Sequence, residues 1–178
     1  MRLEIERKFL ATPDVLTHCR DGVRILQGYL HTDEENTIRV RRIGERAFLT
    51  WKGRKQGAAR HEYEREIAPE AADRLFSDLP DARRLEKTRF RVEHAGMLWD
   101  IDVFDGPLTG LILAEVELER EDQTVPLPPW VIAEVTSDER YRNSKLTGLT
   151  VPPRLFAAQQ TPRVQGLLFL RPNQKCPL

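Results

Sequence analysis

From residue 3 to about residue 120, apolar and polar side chains take turns one by one, in segments separated by turn formers, and this period of two predicts antiparallel strands. Leu3 to Lys8 opens the series. Gln27 to His31, Thr37 to Ile43, Ala47 to Lys52 and Arg60 to Ile67 follow, with Gly44 and Glu45 forming a tight hairpin between the third and fourth segments. Leu85 to Val92, Met97 to Phe104 and Leu111 to Arg120 complete a set of about eight strands, divided by Ala95-Gly96 and by Asp105-Gly106-Pro107. Helical signals are fewer. Thr12 and Pro13 cap a short helix through about Cys19, and Pro69 opens one with Ala72, Leu75, Phe76 and Leu79 on one side, stopped by Pro80. Pro126, Pro128 and Pro129 mark a switch to helix, with Trp130, Ile132 and Ala133 as packing residues. Ser137 and Asp138 cap a further helix ending near Gly148, and a helical turn at Leu155 to Gln160 interrupts an irregular tail. No internal repeat or second domain is predicted.

Residues two apart in a strand share a face, and here the shared polar faces are charged. Glu4, Glu6 and Lys8 alternate with Leu3 and Ile5; Arg39 and Arg41 with Ile38 and Val40; Glu62 and Glu64 with Tyr63 and Arg65. Lys87 and Arg89 alternate with Thr88 and Phe90, Asp102 with Ile101 and Val103, and Glu115 and Glu117 with Ala114, Val116 and Leu118. A sheet with one solvated face would usually mix Ser, Thr, Asn and Gln among such positions. The pattern instead predicts an α+β fold: a closed antiparallel barrel with its charged faces inward, its apolar faces outward, and helices packed outside. Lys8, Arg39, Arg41, Lys52, Lys87 and Arg89 are the inward bases; Glu4, Glu6, Glu62, Glu64, Asp102, Glu115 and Glu117 are the inward acids.

Composition narrows the chemistry. The 178 residues are 40% hydrophobic, enough for one core, and no stretch approaches the roughly 20 apolar residues of a membrane span. Acids interrupt the opening residues, so no secretion signal is expected. Lys+Arg and Asp+Glu both total 28, which argues against a basic nucleic-acid binder. Cys19 and Cys176 have no metal-type spacing and suit a reducing cytoplasm. His18, His31, His61 and His94 do not cluster, Trp51, Trp99 and Trp130 fall on apolar faces, and no Walker-type phosphate loop is present. Buried charges must be satisfied, either by one another or by a polyanion on the bases bridged to the carboxylates by a hard divalent cation such as Mg²⁺ or Mn²⁺.

Glu4-Ile5-Glu6-Arg7-Lys8 matches the Glu-x-Glu-x-Lys signature of the CYTH, or triphosphate tunnel metalloenzyme, family. The resemblance continues through Ile38 to Arg41, Thr50 to Lys52, Glu62 to Glu64, Lys87 to Arg89, Trp99 to Phe104, Ala114 to Leu118, Leu127 to Trp130, Glu134 to Thr136 and Arg140 to Asn143. It implies a tunnel domain over residues 1–150, open at both ends, followed by a C-terminal tail, 151–178. It further implies a metal site on Glu4, Glu6, Glu115 and Glu117, with Asp102, Glu62 and Glu64 at a second metal or its waters. Arg39, Arg41, Lys52, Lys87 and Arg89 would take phosphate, and Lys8 with Tyr29 would form a water-activating pair. The implied activity is metal-dependent hydrolysis of inorganic triphosphate, a small polyphosphate, by a protein that commonly forms a homodimer. Class IV adenylate cyclase, nucleoside or thiamine triphosphatase, and a non-catalytic polyphosphate-binding module are the alternatives. Neither nucleic acid nor membrane is an expected partner.

Overall fold

The alternation is realised as nine strands in the computed structural model, which describes residues 2–54 and 56–154. They are β1 (Arg2–Ala11), β2 (Val23–Thr32), β3 (Thr37–Ile43), β4 (Arg46–Lys52), β5 (Ala59–Ile67), β6 (Arg84–His94), β7 (Met97–Phe104), β8 (Ile112–Glu117) and β9 (Val131–Glu134). Two α-helices, α1 (Pro69–Ser77) and α2 (Asn143–Leu146), and four short 3₁₀ segments complete the described fold. All pairings are antiparallel, in the order β5-β4-β3-β2-β6-β7-β8-β1.

The barrel closes through β1. One edge pairs with β8 from Glu6 to Leu10; the opposite edge pairs first with β5, Arg2 to Ile5 against Ala59 to Glu62, and then with β9 from Phe9 to Ala11. Eight strands therefore close the barrel, and β9 occupies the edge of β1 that runs past β5. That free edge is why residues 131–134 are extended and not helical as their neighbouring prolines predict: Val131, Ala133 and Glu134 complete hydrogen bonding that β1 would otherwise leave open. The helix predicted from Ser137-Asp138 is also broken up. Asp138 accepts a bond from the Arg140 amide and caps the 3₁₀ turn Glu139–Tyr141, and extended Arg142 separates that turn from the four-residue α2. The Thr12–Cys19 segment forms a 3₁₀ turn over Pro13–His18, and β8 is shorter than its predicted strand. The helical turn expected at Leu155 to Gln160, like Cys176, lies outside the described residues.

Apolar residues pack mostly outside the wall. Phe9, Trp99, Ile101, Ala114, Val116 and Trp130 form the larger cluster, beneath the 3₁₀ turn after β1 and the segment leading into β9. Val40 and Ala47 form a second with Ala72, Phe76 and Leu79 of and after α1. A third lies partly inside. At the end where β1 finishes, the inward-facing positions become Leu10, Leu85, Phe104 and Leu113, packed on Val135, Tyr141 and Leu146. One end is thus narrowed by an apolar plug, a departure from the tunnel open at both ends; there the strand pattern puts leucine where lower levels put charge. Among the described residues no helix is long and apolar enough to cross a membrane.

Candidate active site

Strand alternation sends the charged side chains into one cavity of about 1580 Å³. Glu4, Glu6 and Lys8 reach it from β1, Tyr29 from β2, Arg39 and Arg41 from β3, Lys52 from β4, Glu62 and Glu64 from β5, Arg89 from β6, and Glu115 and Glu117 from β8. Lys87 and Asp102 are not at its surface. They pair with each other inside the wall, 1% and 0% exposed at their side chains, and Asp102 also accepts two bonds from Arg89 at 2.6 and 2.7 Å. Behind the cavity, they hold Arg89 forward, where it meets Glu115 and Asp100, each at 2.7 Å.

Arg60 and Asp100 also line the cavity and were absent from the predicted set. Their signal was available, since Arg60 stands one alternation before Glu62 and Asp100 one before Asp102. Arg60 directs its Nε to Glu4 at 3.0 Å, and Lys52 joins Glu4 at 2.8 Å and Glu62 at 2.7 Å.

The two walls of the cavity carry opposite imbalances. On the β3 side Arg39 and Arg41 share Glu64, at 3.9 and 2.8 Å, and both guanidinium Nε atoms are buried without a hydrogen-bond partner among the described residues. Burial, with Arg39 and Arg89 adding to it, pulls Arg41 down to about 10 even with Glu64 beside it. Burial and the charges of Arg39 and Arg60 also lower Lys52, despite its carboxylate partners. This wall has surplus positive charge. On the β1–β8 side, burial, and after it the charge of Glu115, push Glu6 above the usual carboxylate range. Glu6 and Glu117 are directly paired across the two strands, and Glu115 is the next inward residue on β8, opposite Lys8. This wall has surplus negative charge.

Lys8 lies between them, 2.9 Å from Glu115 and 3.7 Å from Glu6. Burial works to strip its proton, but the two carboxylates prevail and hold the ammonium above the ordinary lysine range. Against the same penalty, Lys8 and Arg89 hold Glu115 well below the carboxylate range. Burial raises the Tyr29 phenol, while Arg39, Lys8 and Arg60 act to lower it. Among the described residues no three acids are grouped as a ready metal site. The donor chemistry nevertheless fits a hard cation: carboxylate oxygens from β1 and β8, one of them destabilised by its neighbours.

Fold and site together define a tunnel-type barrel whose interior is lined by acids and bases. The chain belongs to the CYTH domain family, whose profile matches residues 2–150. It is 38% identical over 146 residues to an inorganic triphosphatase of Acetivibrio thermocellus, covering 82% of this chain and 94% of that protein. An inorganic triphosphatase of Nitrosomonas europaea is 41% identical over 155 residues, covering 84% and 99%. A crystal structure of an inorganic triphosphatase superposes with a TM-score of 0.60 at 37% identity, covering 84% of this chain and 97% of the other.

Proposed function

We propose that the chain hydrolyses inorganic triphosphate to pyrophosphate and phosphate with the aid of a divalent cation, Mg²⁺ or Mn²⁺. The observation that carries this reading is the paired imbalance of the cavity: an anion relieves the arginine wall, a cation relieves the glutamate wall, and a metal–polyphosphate complex does both. Arg39, Arg41, Lys52, Arg60 and Arg89 bind phosphoryl oxygens, the arginines by forked hydrogen bonds. Glu6, Glu115 and Glu117, with Glu4, hold the cation, which when bound draws charge from the phosphoryl group under attack. Glu62 and Glu64 orient Lys52 and Arg41, and Lys87 and Asp102 orient Arg89.

Water attacks the terminal phosphorus, the bridging P–O bond breaks, and pyrophosphate leaves. The transition state is loose and needs little help from a strong base. Lys8 therefore serves as it stands, as an ammonium donating to a phosphoryl oxygen, with Tyr29 beside it as a second donor. The cavity also favours inorganic triphosphate over a nucleotide: among the described lining residues Tyr29 is the only aromatic, and it is buried too deeply to stack on a base. Purified protein is to be given tripolyphosphate, ATP, GTP and pyrophosphate with each metal. Phosphate release chiefly from tripolyphosphate is expected. No release from it rejects the proposal, and cyclic AMP made from ATP would favour a cyclase instead.

A further inference from the structure

Gln27 is fully buried at an inward position of β2, one alternation before Tyr29, and is not at the cavity surface. Its Nε2 lies 2.9 Å from the Tyr29 hydroxyl, and its Oε1 has no hydrogen-bond partner among the described residues. Leucine or methionine would fill the same space without burying an unpaired carbonyl, so the amide is not there for packing. Directly across the β2–β3 ladder stands Arg41, whose Nε is also buried and unpartnered. Such unmet polar groups, Arg41 lining the cavity and Gln27 beneath its surface, mark a layer organised for function at the expense of stability.

The phenol oxygen has one proton to give. The charged groups that act most strongly on it are Arg39, Lys8 and Arg60, all donors without acceptor capacity. Glu115, the carboxylate that also acts on it, is already engaged by Lys8 and Arg89. We infer that Gln27 is a positioning residue: its amide donates to the Tyr29 oxygen and so commits the phenol proton to the channel, ready for an oxygen of the phosphoryl group. This rests on the triphosphatase reading above. The amide supplies direction, which an apolar residue of equal size would not.

The test is steady-state hydrolysis of tripolyphosphate with Mg²⁺ by wild type, Q27M, Q27E, Y29F and the double variant Q27M/Y29F, with thermal melts as a check on folding. Gln27→Met is expected to lower kcat about tenfold with KM within about twofold, and to cost nothing further in the Tyr29→Phe background. Gln27→Glu, which keeps the size but accepts the phenol proton, is expected to lose activity too and decides the question if Q27M does not fold. Wild-type kcat in Q27M, full activity in Q27E, or an undiminished Q27M loss in the Y29F background would each overturn the inference. A wild type that leaves tripolyphosphate intact overturns the functional reading and this inference together; an active wild type with an indifferent Gln27 overturns this inference alone.

Discussion

Glu6 and Glu115 sit on neighbouring strands, the first half-buried and the second buried, and are driven in opposite directions. Burial is the larger influence on each, but Glu115 has Lys8 and Arg89 against it, while Glu6 has Lys8 at the longer distance and faces Glu115 and Glu4. The linkage signs follow. Glu115 binds its proton less readily folded than unfolded, so its contribution is complete above the unfolded value of about 4.3 and drains away as pH falls toward the folded one. Glu6 is raised on folding, so stability falls as pH climbs through that interval and the ionised form is a burden at neutral pH. Glu6→Gln is therefore expected to raise the melting temperature of the metal-free protein at pH 7, by about 2–4 °C for each kcal/mol relieved, while abolishing turnover. Glu115→Gln should lower the melting temperature and flatten its decline in acid; melts from pH 3 to 8 check both. Arg60→Ala takes one of its two cationic partners from Glu4, leaving Lys52, and removes a proposed phosphoryl ligand, and a KM for tripolyphosphate raised roughly tenfold or more is expected in initial-rate measurements. Alternation alone placed most of these side chains in the lumen. It could not separate Arg89, at the cavity surface, from Lys87, sealed two residues earlier, because depth in a barrel depends on stagger between strands, which period two does not encode.

Among the elements, β9 shows where local reading ends. Trp130-Val131-Ile132-Ala133 follows three prolines and reads as the start of a helix, but its conformation is set by β1, more than a hundred residues earlier. Strands whose pattern and turns are local, such as β3 and β7, have the bounds their sequences predict, Thr37–Ile43 and Met97–Phe104. The plug was hidden for a related reason: Leu10 and Leu113 have the inward parity of Lys8 and Glu115, and their apolar character makes sense only once Tyr141 and Leu146 close over them. Trp130 fastens β9 to the wall, with its ring edge-on to Trp99 at 5.3 Å, and Trp99 in turn lies 5.4 Å from Phe9. Trp130→Ala is expected to cost about 3–5 kcal/mol, seen as a lowered urea midpoint. Because Phe9 follows Lys8 in β1, turnover should fall at temperatures where the variant is still folded.

Taken as one body, the molecule has its charge divided lengthwise. All 28 acids precede residue 140, whereas six of the 28 bases follow it, so the part that forms the barrel is net negative. If the proposed reading holds, a polyanion approaching this net-negative barrel needs a cation as well as the arginine wall, since Lys52 and Arg89 are already engaged by carboxylates. Chelation with EDTA is expected to abolish phosphate release and to weaken tripolyphosphate binding by at least tenfold in calorimetry, both restored by excess Mg²⁺ or Mn²⁺. The closed barrel and its inverted interior could be foreseen because the same arrangement of charge recurs on strand after strand. The lengthwise imbalance does not emerge from the strand pattern, because it is a sum over the chain.

The way β1 closes the barrel also sets a schedule for synthesis. This strand is synthesised before its partners, which on β5, β8 and β9 arrive as much as about 120 residues later. Until then Glu4, Glu6 and Lys8 remain hydrated, and the nascent protein carries one charged wall of the cavity without the walls that enclose it. Such distant pairing makes the final closure slow and the last event to be completed. A refolding time course should therefore show β-structure signals well before the first turnover of substrate.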